Sequence, residues 1–527
     1  MSRADEVGTL LSREEGSRGF DRAVALIGAG AGVRAATAII TSGLSLVTTI
    51  LLVRILGATL YGALALGLSI VALSTAVNKT GFGVAATRTI AAHLAMDDRD
   101  SAIDTTRGLT TLVLIGGTIG SIVVVAVVVA TQVQLAVSVR LAVALGLGLL
   151  LIGRDAAAAA GSAARGFSRV LLMELPALAE VLSKFAIVAG LFLIGMTQLS
   201  FAAAGLGVSG VIAIVVAVVV VARVPGEASA RGLRPSFGAL LRLFHIAIPY
   251  AMVGVAVKLV ASFDVFILGA THPGAPVGAY APVLTLLEAS VMLAPMLLAT
   301  LFVAAATELF TRADEEAFSK LYVTVSKVSI LLAMPAFCLL SVSPTTVIQA
   351  IFGRDFPIDV NVVRILLVGF FVNVVFGVNT QALIASGGRW RLARALILPS
   401  ITMLCTSLAL IPPLGATGAA MATTISYIVF NLMMSWTLYR TAGVHPVHRD
   451  LALVVTTSPL VIVVAIGLEA LIGGGLIMAV ASALIAWFAW VLLVRSIGAI
   501  RVAEVAAFLP GRRPRRADPG GEASGGE

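Results

Sequence analysis

Charged residues are scarce in this chain. Asp, Glu, Lys and Arg together make up 12% of its 527 residues, against roughly 25% in an ordinary soluble domain. A surface that faces water cannot be covered with so few charges. Hydrophobic residues reach 59% and the mean hydropathy is +1.05, so the composition excludes a soluble protein and predicts an integral membrane protein.

Cysteine and histidine are also rare, which argues against several kinds of site. Cys338 and Cys405 lie singly inside predicted helices and form no disulfide or metal pattern. The five histidines show no ligand spacing. The glycine-rich stretch IGAGAG near residue 27 follows no predicted strand, so it is not interpreted as a nucleotide-binding loop. The sequence therefore predicts no cofactor and no metal. No cleavable signal peptide is predicted either, because the first 22 residues mix both charge signs.

Long uncharged apolar runs are abundant instead. The run LTTLVLIGGTIGSIVVVAVVVA, from Leu109 to Ala130, has the roughly 20 residues that a helix needs to cross a bilayer. Strands of an outer-membrane barrel would be about 10 residues long and would alternate in polarity. We predict an all-α polytopic membrane protein with about fourteen transmembrane helices, near residues 33–53, 61–84, 109–131, 141–162, 170–195, 200–222, 243–269, 279–305, 321–343, 361–384, 393–411, 416–438, 451–472 and 474–494.

The basic residues predict the orientation of these helices. With the N-terminus placed in the cytoplasm, 26 of the 36 Lys and Arg fall in cytoplasmic segments and three in external ones, namely Arg54, Arg140 and Arg354. Cytoplasmic loops of membrane proteins carry such an excess. We therefore predict that both termini are cytoplasmic. The net charge of +9 follows from this topology and from attraction to anionic lipid head groups, so membrane lipids are predicted partners and nucleic acid is not.

Short sequence matches predict an internal duplication. The word ILGAT begins at Ile55 and again at Ile267, and three weaker matches follow in the same order at similar offsets. Two six-helix units that enter the membrane in the same direction form a parallel repeat, which is typical of alternating-access transporters. We predict the following division: a cytoplasmic N-terminal tail (1–32), an N-lobe of helices 1–6 (33–222), a cytoplasmic linker (223–242), a C-lobe of helices 7–12 (243–440), helices 13–14 (451–494) and a basic, disordered cytoplasmic tail (495–527).

Three stretches carry a resemblance to a known family. They are LLVRILGATLYGALALGLSIVALSTAVNKTGFGVAATRTIA from Leu51, SFDVFILGATHPGAPVGAYAPVLTLLE from Ser262, and IPPLGATGAAMATTISYI from Ile411. The sequence resembles Wzx-type polysaccharide-biosynthesis flippases of the multidrug/oligosaccharidyl-lipid/polysaccharide (MOP) exporter superfamily, over roughly residues 33–440.

The resemblance implies a transporter of the bacterial cytoplasmic membrane and not an enzyme. Its substrate would be a polyprenyl-pyrophosphate-linked oligosaccharide, flipped from the inner to the outer leaflet. Other polysaccharide-assembly membrane proteins are candidate partners. The resemblance also implies a central cavity formed mainly by helices 1, 2, 7 and 8.

Charged residues inside predicted spans are functional candidates, because an ion in the bilayer is costly. The cations are Lys79, Arg154, Lys184, Lys258, Lys327 and Arg364, and the carboxylates are Asp155, Glu174, Glu180, Asp264 and Glu288. The predicted substrate-binding residues are Lys79, Lys258, Asp264, Glu288, Arg154 and Asp155, with Lys258 and Lys79 attracting phosphate. Coupling to a proton or a sodium ion would use Asp264, Glu288 or Asp155.

Several of these residues also have an interpretation in which their role is only structural. Glu180 and Lys184 are four residues apart, which predicts a pair along one helix. Arg154 and Asp155 are neighbours, so their side chains point to different sides. Asp264 is either a substrate contact or a hydrogen-bonding residue at a helix junction. Tyr250 and Tyr427 are candidates for stacking on a sugar, whereas interface anchoring explains Tyr61 and Tyr280, among other aromatic residues.

Three other functions stay open at this point. A peptidoglycan-precursor flippase and a cation-coupled multidrug antiporter of the same superfamily would share the fold. A membrane glycan polymerase would need a sizeable external segment with catalytic groups. The longest external connection, residues 343–360, contains Asp355 and Asp359 but no catalytic motif.

Overall fold

The computed structural model describes residues 3–224, 236–311, 314–386, 389–443, 448–472 and 475–500, with side chains from residue 36 onward except at a few helical positions. Within these ranges the chain is helical and has no β-strand. The helices are α1 (Arg3–Ala76), a π-helical turn (Val77–Phe82), α2 (Gly83–Ala95), α3 (Arg99–Thr131), α4 (Val137–Gly166), α5 (Val170–Leu193), α6 (Leu199–Arg223), α7 (Phe237–Thr271), α8 (Ala275–Val291), α9 (Leu293–Thr311), α10 (Glu315–Val342), α11 (Pro344–Phe352), α12 (Val360–Val375), α13 (Asn379–Ala385), α14 (Arg389–Ala442), α15 (Arg449–Ile472) and α16 (Leu476–Ser496).

The predicted all-α membrane architecture is confirmed. Eleven of the described helical segments are long and apolar enough to cross a bilayer. Two of them, Ala36–Ala95 and Trp390–Ala442, each contain two of the predicted spans, and the consecutive helices α8 and α9 cover another. Within the described residues, each predicted span therefore falls mainly on helix. The predicted tail 1–32 is helical from Arg3, and most of the predicted C-terminal tail lies outside the described residues.

Two glycines reverse the chain without a loop. Gly57 has φ 69° and ψ 170° inside α1, and Gly415 has φ 57° and ψ −130° inside α14. Only glycine adopts such angles without a Cβ clash. The face of the molecule that contains Gly57, Gly415 and α11 is called the upper face, and it corresponds to the predicted external side. The opposite face is called the lower face.

Close helix packing explains much of the glycine content of α4 and α6. A Cβ on Gly146 would overlap the Ala203 carbonyl oxygen, and a Cβ on Gly153 would overlap the carbonyl oxygen of Gly210. Small residues let membrane helices approach to backbone contact, where dispersion and weak hydrogen bonds replace the absent hydrophobic effect. The helices α4 and α6 thereby pack at backbone distance.

The two halves of the chain share a further irregularity. The second span of the first half is interrupted by the π-helical turn Val77–Phe82, and the second span of the second half is interrupted at Met292, between α8 and α9. Breaks at similar positions support the predicted duplication. The boundaries of the predicted division stay a prediction.

Helices α15 and α16 are fixed to α10. Lys327 of α10 donates to the Ala499 carbonyl oxygen at 3.0 Å and lies 3.9 Å from the Asp450 carboxylate. Near the upper face, the Ser343 hydroxyl donates to the Glu469 carboxylate. Lys327 was one of the candidate cations in the spans, but it stabilises helix packing here and does not line the central cavity described below.

Candidate functional site

A cavity of about 240 Å³ lies between the two halves of the chain. Its walls come from α1 on both sides of Gly57, from α7 and α8, and from α4, α5 and α6. These elements include helices 1, 2, 7 and 8 of the predicted numbering, which the resemblance had implied as the cavity walls. The cavity therefore occupies the expected place between the halves.

Uncharged polar groups make up much of the cavity lining. The lining hydroxyls belong to Ser45, Thr48, Thr49, Tyr61, Ser69, Ser262 and Thr285. Three of them donate to a carbonyl of the preceding helical turn: Thr48 to Leu44, Ser69 to Leu66 and Thr285 to Ala281. A hydroxyl used in this way still has acceptor lone pairs for the cavity. Such a lining suits a ligand rich in hydroxyl groups.

Two helices, α4 and α5, bring a charged trio to the cavity wall. The Glu180 carboxylate oxygen Oε1 lies 3.1 Å from Arg154 Nε and 3.4 Å from Lys184 Nζ. The predicted pair of Glu180 and Lys184 is confirmed, and Arg154 joins it from α4. Because one carboxylate serves two cations, the trio has an excess of one positive charge. Both Arg154 and Lys184 line the cavity, as does Glu288 from α8.

Lys258 and Lys79 add positive charge to the same space. Lys258 is half-buried on α7, attracts Glu288 and repels Lys79 electrostatically. Lys79 lies on the π-helical turn and is exposed, yet it also interacts with the charge of Arg154. Arg165 and Glu174 also interact electrostatically with Lys79, which therefore lies among charged residues of α4, α5 and α7. Of the predicted site residues, Arg154 and Glu288 line the cavity, and Lys258 and Lys79 interact with them electrostatically.

Asp155 lies elsewhere, in the packed interior of the first half. It is 1% exposed, and its Oδ2 accepts a hydrogen bond from Asn78 Nδ2 at 2.6 Å. Its Cβ and carboxylate pack on Gly117 of α3. The expectation that Arg154 and Asp155 point to different sides is confirmed, and Asp155 is not part of the cavity lining.

Asp264 is completely buried at a helix junction. Its Oδ2 accepts hydrogen bonds from the hydroxyls of Tyr280 on α8 and Thr423 on α14, the latter at 2.6 Å. Its Oδ1 accepts from the Val265 backbone N–H at 2.8 Å. Of the two interpretations of Asp264, the structure supports the hydrogen-bonding one. Interface anchoring was wrong for Tyr280, which is 1% exposed, and for Tyr61, which is 4% exposed at the cavity wall.

The two predicted sugar-stacking tyrosines have other partners. Tyr250 accepts a hydrogen bond from Arg88 Nη1 at 2.9 Å, and the guanidinium lies 5.5 Å from the ring centroid. Tyr427 is 7% exposed and packs edge-to-face on Phe370 at 5.5 Å. Neither ring is presented to the cavity. Both tyrosines were predicted from their depth within a span. Depth does not show which helix packs against the ring.

Towards the upper face of the molecule, the cavity is sealed by backbone contact between α1 and α8. A Cβ on Gly278 would overlap the Ala58 carbonyl oxygen, and a Cβ on Gly62 would overlap that of Gly274. Beside this contact, Arg54 donates to the carbonyls of Ala350 at 2.7 Å and Ile351 at 2.8 Å, near the C-terminus of α11. A cation there complements the helix dipole. The seal adjoins both copies of ILGAT.

The sequence matches the family model described as polysaccharide biosynthesis protein over residues 27–307. That match covers more than half of the chain. The chain belongs to the polysaccharide biosynthesis protein family. No curated protein shows a significant match to the sequence.

Solved structures of the MOP superfamily share the fold of this polysaccharide biosynthesis protein. A lipid II flippase MurJ in an inward closed conformation aligns with a TM-score of 0.69 at 12% identity, covering 88% of this chain and 97% of that one. An inward-facing multidrug resistance MATE family transporter aligns at 0.61 and 14% identity, covering 77% and 95%. An outward-facing form of such a transporter aligns at 0.54 and 16% identity, covering 79% and 96%. The resemblance seen in the sequence is thus confirmed in family and fold.

Proposed function

We propose that this protein flips a polyprenyl-pyrophosphate-linked oligosaccharide from the inner to the outer leaflet of the bacterial cytoplasmic membrane by alternating access. The lower face is then cytoplasmic and both termini lie on that side. One observation carries the proposal: the space between the halves combines hydroxyl groups with an excess of positive charge. Arg154, Lys184 and Glu288 line this space, and Glu180 pairs with both cations. Lys258 interacts electrostatically with Glu288, and Lys79 with Lys258 and Arg154, which adds two positive charges to the group.

This charge balance suits an anionic head group. A pyrophosphate in hydrocarbon without compensating charge costs many kcal/mol, and buried cations remove most of that cost. A carrier of cationic drugs needs the opposite excess, so the arrangement disfavours the antiporter alternative. A peptidoglycan-precursor flippase would bind the same pyrophosphate group. Because this chain has a fold similar to that of the lipid II flippase MurJ, that function is the second candidate.

The cavity must enlarge for transport. Its volume of about 240 Å³ is below the roughly 300–1,000 Å³ of pockets that hold small molecules. The upper face is sealed by glycine contacts and by Arg54, so entry in this state would come from the lower face. For coupling, Glu288 is the proposed proton or sodium site, because it faces the cavity whereas Asp155 and Asp264 are engaged in buried hydrogen bonds.

Deletion of the gene in its host tests the function directly. Lipid-linked saccharides are extracted, and their leaflet is determined with a membrane-impermeant sugar-modifying reagent. Accumulation on the cytoplasmic side with loss of one surface polysaccharide is expected. Loss of peptidoglycan precursor transport would favour the second candidate, and normal saccharide pools with altered sensitivity to cationic drugs would contradict the proposal.

The variant Lys258→Ala tests the proposed phosphate contact. Export should be lost while the protein still reaches the membrane, because Lys258 interacts electrostatically with Glu288 of the cavity wall. Lys320→Ala is the matched control, since Lys320 pairs with Glu316 on the surface and both are at least 74% exposed. Unchanged export in Lys258→Ala would remove Lys258 from the site.

A further inference from the structure

A carboxylate buried in the first half of the chain is only partly satisfied. Asp155 Oδ2 accepts the hydrogen bond from Asn78, but Asp155 Oδ1 is buried and has no hydrogen-bond partner among the described residues. From Asp155 to Gly166, the last residue of α4, the helix axis rises about 16 Å at 1.5 Å per residue. The carboxylate therefore lies well inside a hydrocarbon core roughly 30 Å thick.

A second unpaired oxygen lies beside this carboxylate. The Thr75 hydroxyl of α1 interacts with Asp155, yet neither Thr75 Oγ1 nor Asp155 Oδ1 forms a hydrogen bond of good geometry within the part of the chain that the structure describes. Both atoms are shielded from solvent. Buried polar atoms are nearly always paired with protein, water or an ion. Two unpaired oxygens at one place therefore indicate a ligand-binding site.

Helix α3 leaves room for these polar side chains. A Cβ on Gly116 would lie 2.7 Å from Asn78 Oδ1, and a Cβ on Gly117 would lie 3.1 Å from Asp155 Oδ2. A Cβ on Gly120 would lie 3.6 Å from Ser74 Oγ. The three glycines thus bring oxygen atoms from α1, the π-helical turn and α4 close to the backbone of α3, in a cradle that larger side chains would fill.

The charge of Asp155 has no close partner in this cradle. Among the described residues, Arg154 is the charged group that acts on it electrostatically. The Arg154 guanidinium is directed to Glu180, with 3.1 Å between Nε and Oε1. A carboxylate in the bilayer without a compensating charge costs several kcal/mol. A cation bound at Asp155 Oδ1 removes that cost and satisfies the unpaired oxygens.

We propose that Asp155 Oδ1 and Thr75 Oγ1 bind a sodium ion between α1, α3 and α4. Both atoms are oxygen ligands of the kind that hard cations prefer, and one carboxylate balances one positive charge. Backbone carbonyls at helix interruptions complete sodium sites in transporters, and the π-helical turn begins two residues after Thr75. This ion is separate from a coupling ion at Glu288, because Asp155 does not line the cavity, and its binding requires no transported substrate.

The ion stabilises the π-helical turn through Asn78, whose amide holds the same carboxylate. The turn in its own right packs closely on α7. A Cβ on Gly81 would lie 2.7 Å from Ala251 Cβ, and a Cβ on Gly254 would overlap the Thr80 hydroxyl. π-Helical turns are found frequently at functional sites. Sodium binding therefore favours the arrangement in which this turn contacts the second half of the chain.

Thermal unfolding of the purified full-length protein tests the site. The chlorides of sodium, potassium and choline are compared at equal pH and ionic strength, in protein that carries Glu288→Gln so that a coupling ion does not contribute. Sodium should raise the melting temperature by a few degrees over potassium, because a ligand that binds only the folded state stabilises it. Equal melting temperatures in the three salts overturn the proposal.

Substitutions at the two ligands assign the sodium effect. Asp155→Asn keeps an acceptor for Asn78 and removes the charge, so the protein should fold and lose the sodium response. Thr75→Val removes one ligand at nearly constant volume and should raise the apparent Kd for sodium roughly tenfold, while Thr75→Ser restores it. If Asp155→Asn does not fold, the comparison of Thr75→Val with Thr75→Ser decides. A full sodium response in Asp155→Asn, or an equal Kd in Thr75→Val and Thr75→Ser, overturns the proposal.

Hydrogen exchange gives a local readout of the same ion. Backbone amides of Val77–Phe82 should exchange more slowly in sodium than in potassium, and the difference should vanish in Asp155→Asn. Residues 316–320, which carry an exposed ion pair, are the control segment and should exchange equally in both salts. Stabilisation of the turn by acid, with no difference between sodium and potassium, would show that a proton occupies Asp155 and would overturn the sodium site.

Discussion

Trp487 of α16 donates its indole N–H to the backbone carbonyl of Leu331 in α10, at 3.0 Å. In a regular helix that carbonyl would accept from residue 335, but residue 335 is Pro and has no N–H. An unsatisfied carbonyl in the bilayer costs several kcal/mol. Trp487 satisfies the carbonyl that Pro335 leaves free and fixes α16 to the second half of the chain.

Replacing Trp487 by Phe should lower the stability of the protein in detergent. The loss of one hydrogen bond to a carbonyl without an intrahelical partner corresponds to about 1–2 kcal/mol of the free energy of unfolding. Thermal unfolding followed by fluorescence-detected chromatography measures the effect. Trp436→Phe is the control, because Trp436 is 56% exposed and a phenylalanine ring at that position retains the contact with Arg440. Equal shifts for both variants would contradict the role of Trp487.

Two Glu–Lys pairs with the same spacing should differ in their contribution to the stability of the protein. The pair of Glu180 and Lys184 is 8–9% exposed, whereas the pair of Glu316 and Lys320 is 74–80% exposed and has the shorter contact, 2.6 Å against 3.4 Å. Glu180→Ala leaves the buried Lys184 and the partly buried Arg154 without their carboxylate and should destabilise the protein by on the order of 3 kcal/mol. Glu316→Ala should cost less than about 1 kcal/mol. Thermal unfolding of both variants decides whether burial or contact distance dominates.

Gly278→Ala should open the upper seal. The added methyl group would overlap the Ala58 carbonyl oxygen, so α1 and α8 must separate. Gly190→Ala is the control, because no atom lies within 4 Å of a Cβ there. Electron-resonance distances between spin labels at Val133 and Ile477 of the upper face, with both native cysteines replaced, should lengthen only in Gly278→Ala. The same distance in both variants would show that the seal is not formed by this contact.

Asp264→Ala should lower the stability of the protein, whereas Lys258→Ala should abolish transport. Removing the Asp264 carboxylate leaves the buried hydroxyls of Tyr280 and Thr423 and the Val265 N–H without their acceptor, a loss of about 3 kcal/mol. The amount of Asp264→Ala protein in the membrane should therefore fall together with export. Normal abundance with abolished export would return Asp264 to the list of substrate or coupling residues.

The contrast between Asp264 and Lys258 shows how far sequence reasoning reached at the site. Both were predicted because a charged residue inside a span is rare, and the sequence could not distinguish a cavity from a helix junction. Tyr280 is sixteen residues from Asp264, and Thr423 comes from α14. A hydrogen bond between helices depends on their packing, which no local pattern encodes. The pair of Glu180 and Lys184 was predictable because both residues lie on one helix face.

The interruptions of the helices show the same limit. Hydropathy predicted the second and eighth spans as continuous, but the π-helical turn at Val77–Phe82 and the break at Met292 divide them. Hydropathy is insensitive to one inserted residue or one missing hydrogen bond. Gly81 and Gly254, by contrast, are small residues inside membrane helices, and sequence analysis already associates such residues with close helix packing.

The sequence by itself determined that this chain is an all-α membrane protein, where its spans lie and which charged residues fall within them. These properties follow from the length and apolarity of each segment, since a helix in lipid satisfies its own backbone. Only the tertiary structure decided that Arg154 and Glu288 line one cavity, with Lys258 in electrostatic contact with Glu288, while Asp155 and Asp264 lie outside that lining. The helical period fixes the face on which a residue lies, but the neighbour of that face is set by packing between helices distant in sequence.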